Sequence, residues 1–139
     1  AVSNEAGDIV IQTVDGMEEF SSVGSLVHPT VSNQQDNRET VRAFTIDALV
    51  NEHQLTPGFM KIDVEGAEGQ VLAGATQTLA EHRPVILAEL SDPLLRQSGS
   101  SSAQVLELLR QYDYKITDPL RPDSTPGGRE YGDILCIPS

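Results

Sequence analysis

The sequence predicts an α/β domain with a mostly parallel sheet that ends in an antiparallel pair of strands. Between residues 59 and 117, apolar strand-like segments alternate with segments whose apolar residues recur at helical spacing, which is typical of a parallel sheet covered by helices. The last two strand-like segments are joined by a polar loop without room for a helix, and such a connection favours antiparallel pairing.

The composition is that of one small domain with an aliphatic core. The chain has 139 residues, of which 38% are hydrophobic and 4% aromatic. Nine Lys and Arg face 21 Asp and Glu, so the formal net charge is -12. This charge argues against binding to nucleic acid or to an anionic membrane surface. No apolar run approaches the roughly 20 residues that cross a bilayer, and we expect a cytoplasmic protein. The single Cys136 excludes an internal disulfide.

Two strands and a short helix are expected ahead of the alternating region. Residues 8–14 and 40–46 are rich in β-branched side chains, which favours strands. Residues 16–39, between them, are polar and irregular, and a loop of that length is usually functional or disordered. A short helix is predicted from Asp47 to His53.

The remaining elements follow from period changes and from breakers such as Pro57-Gly58 and Arg83-Pro84. A capping box of Ser101 and Gln104 predicts the start of the last helix. In chain order we expect a buried strand at 59–64, one helix at 67–82, a buried strand at 85–90, a loop at 91–102, a helix to about residue 112, a strand at 114–117, a loop at 118–128 and a closing strand at 133–137.

Charged residues interrupt the predicted strand at 59–64, although a strand buried on both faces should be apolar. Lys61 and Asp63 are two residues apart and therefore face the same side. Asp63 and Glu65 lie at the carboxyl end of this strand, and Glu89 lies at the carboxyl end of the next. Since ligands of open α/β sheets bind beyond these ends, the three carboxylates could converge on one crevice. There they could orient a hydroxyl, hold a cationic ligand or bind a hard metal ion.

The same residues also have structural interpretations. Glu65 and Glu68 could be acids that the helix dipole favours in a first turn. Asp63 could pair with Lys61 or cap the following helix, and Lys61 is more typical of a counter-ion than of a catalyst. Gly66 would provide the tight turn from strand to helix.

The other candidate residues are fewer. The three histidines have no metal-ligand spacing, and His28 is the one that we would test for substrate contact, because it lies in the long polar loop near Ser21, Ser22 and Ser25. Cys136, in the closing strand, is expected to be a buried small apolar residue.

The segment 59–74, FMKIDVEGAEGQVLAG, resembles the signature of the FkbM family of S-adenosylmethionine-dependent methyltransferases. The resemblance covers nearly the whole chain, with further similar segments AVSNEAGD at 1–8, the serine-rich stretch at 21–26, TIDAL at 45–49, RPVILAE at 83–89 and DIL at 133–135. It implies a Rossmann-like methyltransferase fold with an antiparallel last strand, S-adenosylmethionine as cofactor, and a hydroxyl of a small molecule, sugar or natural product as acceptor. Metal dependence stays open.

The resemblance also implies roles for the charged residues. Asp63 would lie near the methionine portion of the cofactor and the acceptor, and Asp63 or Glu65 would orient or deprotonate the acceptor hydroxyl. We expect Glu89 and His28 to contact the substrate. The family's glycine-rich cofactor loop and its ribose-binding acid are absent, so we expect residues 1–139 to be the C-terminal part of one FkbM-like domain. Alone, this part should be inactive and should bind the cofactor weakly or not at all.

Two other functions remain open. One is a non-catalytic methyltransferase-like module for binding or assembly, whose incomplete sheet could self-associate. The other is a carboxylate–metal site built from Asp63, Glu65 and Glu89 that acts without S-adenosylmethionine. The acidity favours a neutral or cationic small molecule as the acceptor.

Overall fold

The computed structural model describes residues 1–14, 22–23, 36–121, 123 and 131–139. Within these ranges the chain forms seven strands and five helices, in the order β1 (Gly7–Val14), β2 (Ser22–Val23), β3 (Asp36–Ala43), α1 (Ile46–Glu52), β4 (Phe59–Ile62), α2 (Glu68–Ala73), α3 (Thr76–Glu81), β5 (Val85–Ser91), α4 (Asp92–Gln97), α5 (Ser102–Gln111), β6 (Tyr114–Thr117) and β7 (Tyr131–Pro138).

The strands form two sheets. The first is antiparallel with the order β2-β1-β3, and the second has the order β4-β5-β7-β6. In the second sheet β4 and β5 are parallel, while β7 pairs antiparallel with both β5 and β6. The predicted α/β class and the antiparallel closing pair are therefore confirmed. The predicted mostly parallel sheet is wrong for the described strands: β7 lies between β5 and β6 and pairs antiparallel with both, so the sheet is mixed and β4–β5 is its parallel pair.

Aliphatic side chains from β5 and from the helices form the core, which includes the fully buried Leu79, Ile86 and Leu109. Tyr114 joins this core and donates its hydroxyl proton to the carbonyl oxygen of Pro84 at 2.9 Å. Cys136 is buried as predicted, and burial raises the pKa of its thiol to about 12. The core thus lies against the parallel pair whose carboxyl ends carry the candidate residues.

Side-chain caps mark the starts of α1 and α5. Thr45, predicted as a strand residue, accepts a hydrogen bond from the Ala48 amide at 3.0 Å and is the N-cap of α1. At α5 the first half of the predicted capping box is confirmed, since Ser101 Oγ accepts from the Gln104 amide at 3.2 Å. The second half is wrong: the Gln104 side chain faces the Ser101 hydroxyl, at 3.2 Å, instead of a backbone amide.

The single helix predicted at 67–82 is wrong, because the chain breaks it into α2 and α3 at Gly74 and Ala75. The backbone of Ser3 and Asn4 crosses Gly74 so closely that any side chain there would overlap it. The Gly74 carbonyl accepts a hydrogen bond from the Asp47 amide at 3.0 Å. Long-range contacts therefore interrupt a segment whose apolar period is continuous.

Two further boundaries differ from the prediction. The segment predicted as a loop at 91–102 contains α4, which starts with Asp92 and has proline in its first turn, a favourable helix position. The second strand starts at Asp36 and ends at Ala43, whereas 40–46 was predicted. The composition of residues 36–39 is polar and does not favour a strand. These residues form one because they pair antiparallel with β1, from the Asp36–Val14 pair onwards.

The prediction of a buried strand at 59–64 is also wrong. β4 stands at the end of the four-stranded sheet and, in the described part of the chain, has β5 as its strand partner. Consequently Phe59 is 57% exposed, and Ile62 is the buried residue of the strand. Lys61 is therefore a charged residue on an exposed edge strand and does not lie in a buried strand. No helix in the described ranges is long and apolar enough to span a membrane.

Candidate functional site

The turn that follows β4 reverses the chain within four residues. The Ala67 amide donates a hydrogen bond to the Val64 carbonyl at 3.3 Å, and the two residues between them have positive φ, 49° at Glu65 and 98° at Gly66. Positive φ at both central positions is typical of a type I′ turn. For a residue with a side chain, as at Glu65, this left-handed conformation costs roughly 1–2 kcal/mol. The site therefore contains a backbone conformation that the surrounding structure has to stabilise.

α4 supports this turn from one side. A Cβ atom on Gly66 would lie 2.7 Å from Leu94 Cβ and 2.8 Å from the Leu94 carbonyl carbon. Ser98 Oγ lies 2.6 Å from the Gly66 carbonyl oxygen and can donate a hydrogen bond to it. Gly66 is therefore required both for its φ and for the close approach of α4.

Lys61 and Asp63 form an ion pair on the exposed face of β4. Lys61 Nζ lies 2.7 Å from Asp63 Oδ2, and the two side chains are 63% and 36% exposed. The hydrogen bond and the charge of Asp63 raise the pKa of Lys61, and the charges of Glu89 and Asp133 act in the same direction. Exposed pairs of this kind contribute little to stability. The pair instead orients the Asp63 carboxylate and leaves part of it open to a ligand.

The strand pairing brings the carboxylates together. Ile62 pairs with Ala88, so Asp63 follows β4 beside Glu89, and Glu89 in turn pairs with Asp133 across the antiparallel ladder. Partial burial raises the pKa of Glu89, and the negative charges of Asp63, Asp133 and Glu65 raise it further, whereas Lys61 lowers it. Asp63 and Glu65, which the sequence predicts beside Glu89, thus lie close enough at one end of the β4–β5 pair to act on Glu89, and so does Asp133.

Asp133 is a site residue that the sequence reasoning missed. It lies in β7, 44 positions after Glu89 in the chain, and nothing local distinguishes it from an exposed strand acid. The pairing of β7 with β5 places it opposite Glu89. Like charges directly opposite each other destabilise a sheet, so the pair adds to the negative potential of the site at a cost in stability.

Two other predictions concern a metal site and His28. In the described ranges, no group of three His, Cys, Asp or Glu side chains is arranged to hold a metal ion. The carboxylate–metal alternative therefore has no three-ligand site there. His28, the predicted substrate contact, lies outside the described residues.

Glu68 is the second residue whose importance the sequence reasoning missed. The sequence predicts an acid that the helix dipole favours in a first turn, and Glu68 does lie in the first turn of α2, but its side chain is only 2% exposed. Its Oε1 accepts hydrogen bonds from the amides of Val64, at 3.3 Å, and Gly66, at 3.1 Å. Burial raises the pKa of Glu68 and outweighs the backbone amides, which lower it. Its carboxylate thus reaches back and binds the site turn.

Comparison with known protein families identifies the family of the chain. A family model described as the methyltransferase FkbM domain matches residues 1–116. The chain belongs to the FkbM methyltransferase family. The resemblance seen in the sequence is confirmed, and the mixed α/β architecture is consistent with a methyltransferase-like fold. The matched range includes Asp63, Glu65, Glu68 and Glu89, whereas Asp133 lies beyond it. No curated protein and no solved structure gives a significant match.

Proposed function

We propose that this FkbM methyltransferase chain serves the transfer of a methyl group from S-adenosylmethionine to a hydroxyl of a neutral or cationic small molecule, such as a sugar or natural product. The observation that carries the proposal is Glu89, a half-buried carboxylate whose pKa is raised beside Asp63, Glu65 and Asp133 in a member of a methyltransferase family. A carboxylate with a raised pKa is a stronger base at neutral pH, as the removal of a hydroxyl proton requires.

The proposed roles follow from position. Asp63, held by Lys61 at the end of β4, lies beside the cofactor and the acceptor, and Asp63 or Glu65 orients the acceptor hydroxyl or takes its proton. Glu89 contacts the acceptor, and its raised pKa suits it to share that proton. When bound, S-adenosylmethionine supplies an electrophilic methyl on a cationic sulfonium. Among the described residues, four carboxylates and one lysine make the local charge negative, which favours such a cation and disfavours an anionic acceptor.

We further propose that residues 1–139 form part of one methyltransferase domain and bind the cofactor weakly on their own. The support is the sequence, which has no Gly-x-Gly loop between a strand and a helix to bind the cofactor's polar groups. Calorimetry with this chain and S-adenosylmethionine tests the point, and binding in the micromolar range would contradict it.

The test of the main proposal is a methyl-transfer assay on the complete gene product. Labelled S-adenosylmethionine is offered with a panel of neutral and cationic hydroxyl compounds, and the wild type is compared with Asp63→Asn and Glu89→Gln. Loss of a general base or of an orienting group should reduce turnover by about 10²-fold or more. Glu107→Gln, at an exposed position of α5, is the matched control and should be fully active. Unchanged activity and cofactor affinity in Asp63→Asn would exclude the proposed role of Asp63.

A second candidate function is assembly through β4. In the described part of the chain this strand has one neighbour, and its first residue, Phe59, is 57% exposed. We propose a second copy of the chain as the partner, since an open strand edge can pair with another strand. Each copy carries a charge of -12, so association should strengthen with salt. Sedimentation of the wild type and of Phe59→Lys at low and high salt tests this, and a monomer under all conditions would rule it out.

A further inference from the structure

Glu68 has the wrong surroundings for an ordinary acid of a first helical turn. Such acids normally stay in water, where they interact with the helix dipole at little cost. Glu68 is instead among the largest fully buried side chains of the described residues. Its Oε2 atom is buried and has no hydrogen-bond partner among the residues that the structure describes, and burial of a carboxylate that is only half satisfied is unfavourable. Because burial of this carboxylate destabilises the fold, its position must be explained by the groups that the carboxylate binds.

The Glu68 carboxylate binds the turn between β4 and α2. The two amides that donate to Oε1 belong to Val64 and Gly66, the residues on either side of Glu65. Glu65 has φ of 49°, which a free chain rarely adopts. The carboxylate bridges the strained residue from the α2 side, while Ser98, the residue that follows α4, binds the Gly66 carbonyl from the other side.

We propose that Glu68 is a positioning residue of the FkbM site: its carboxylate binds the turn at 64–67 and so keeps Glu65, and Asp63 just before the turn, beside Glu89. Its effect on catalysis rests on the methyl transfer proposed above. The positioning itself is a property of this chain and can be measured without any activity.

The pKa of Glu89 reports on that position. Partial burial is the largest cause of the raised pKa of Glu89, and the charges of Asp63, Asp133 and Glu65 come next. If the turn relaxes, Glu65 leaves its positive φ and both Asp63 and Glu65 move relative to Glu89, whereas Asp133 stays in β7. Release of the turn should therefore lower the pKa of Glu89 towards its ordinary value.

The groups around Glu68 are few. The charged group that acts on its pKa is Glu65, whose negative charge raises it. α4 approaches the turn with Leu94 and Ser98, which are uncharged, and the segment before α5 approaches α2 with Ser100 at Gly69. A change in the charge of Glu68 thus acts on the turn and on Glu65.

The experiment is a ¹³C carboxyl titration of Glu89 in this chain, in the wild type and in Glu68→Ala and Glu68→Gln. We expect a lower Glu89 pKa in the alanine variant. The glutamine variant should recover most of the wild-type value, because its amide oxygen can still accept from both backbone amides. Asp47→Asn, which changes a different carboxylate bound to backbone amides, is the matched control and should leave the pKa unchanged. An unchanged Glu89 pKa in folded Glu68→Ala overturns the proposal.

A measurement on the wild type decides the question even where the alanine variant does not fold. The amide proton shifts of Val64 and Gly66 should titrate together with the Glu68 carboxyl carbon, and independent titration of the three signals overturns the proposal. Failure of the proposed function is distinguishable, because it appears as a wild type without methyl transfer. In an active gene product, Glu68→Ala should lose about 10²-fold in turnover, as small misplacements do, and Glu68→Gln should restore most of it.

Discussion

The carboxylates of Asp47 and Glu68 both bind backbone amides near the start of a helix, yet their surroundings differ. Asp47, in α1, accepts hydrogen bonds from the amides of Gln77, at 2.9 Å, and Thr78, at 2.8 Å, and from the Thr78 hydroxyl at 2.7 Å. Glu68 is deeply buried and uses one oxygen for two longer bonds.

The pKa values of the two carboxylates therefore move in opposite directions. Partial burial acts to raise the pKa of Asp47, but the hydrogen bonds from Thr78, Gln77 and Thr76 outweigh it and lower the pKa. At Glu68 burial prevails and the pKa is raised. Asp47 joins α1 to α3 and stabilises the fold. Glu68 holds a strained turn at the site at the expense of stability, which is expected of a functional position.

The largest effect on stability should come from Gly66→Ala, which disrupts the turn that Glu68 binds. The added methyl group would overlap Leu94 and would sit on a residue with φ of 98°. Strain and overlap together should reduce the free energy of unfolding by about 3 kcal/mol, measured by urea denaturation. Gly99→Ala is the control, because Gly99 has φ of 80° but open space around it. Equal losses in the two variants would show that the contact with α4 is unimportant.

A smaller loss is expected at the other carboxylate. Asp47→Ala removes the acceptor for the amides of α3 and should reduce the free energy of unfolding by about 1–2 kcal/mol, as helix caps do. Glu52→Ala, an exposed acid in the same helix, should change stability little. The measurement is again urea denaturation at neutral pH, and similar values for the two variants would exclude a capping role for Asp47.

The pH dependence of stability should separate the two carboxylates directly. The lowered pKa of Asp47 stabilises the fold above its ordinary value of 3.8, and this contribution is lost as the pH falls through the folded-state pKa. The raised pKa of Glu68 has the opposite sign, so its unfavourable contribution develops as the pH rises above its ordinary value of 4.5. Relative to the wild type, Asp47→Asn should therefore become less stable as the pH rises, and Glu68→Gln more stable. If the stability of both variants changed with pH in the same direction relative to the wild type, the proposed difference between Asp47 and Glu68 would be wrong.

The smallest effect should follow from removal of Lys61, the cation that acts on Glu89 among the described residues. Lys61 lowers the pKa of Glu89, so Lys61→Gln should raise that pKa further while stability stays nearly unchanged. Lys115→Gln, at an exposed position of β6, should leave Glu89 as it is. A ¹³C carboxyl titration provides the comparison, and a fall in the pKa of Glu89 in Lys61→Gln would contradict the proposed charge arrangement.

Local signals were sufficient for much of the fold and for part of the site. The strand at 114–117 and the start of α5 follow from side-chain pattern and capping chemistry, both of which act within a few residues. Asp63, Glu65 and Glu89 could be predicted as neighbours, because the carboxyl ends of adjacent parallel strands lie at one edge of a sheet. The long helix at 67–82 could not be predicted correctly, since the backbone that interrupts it comes from Ser3 and Asn4.

By itself the sequence determined the α/β class, the order of most elements, the FkbM family and three of the site carboxylates, because periodicity, turn residues and a signature segment are local properties. Only the tertiary structure decided that Asp133 faces Glu89, that β4 stands at the edge of its sheet, and that Glu68 is buried beneath the turn. These features depend on which distant segments pair and pack, and burial, not residue type, determines whether a carboxylate stabilises a fold or strains it.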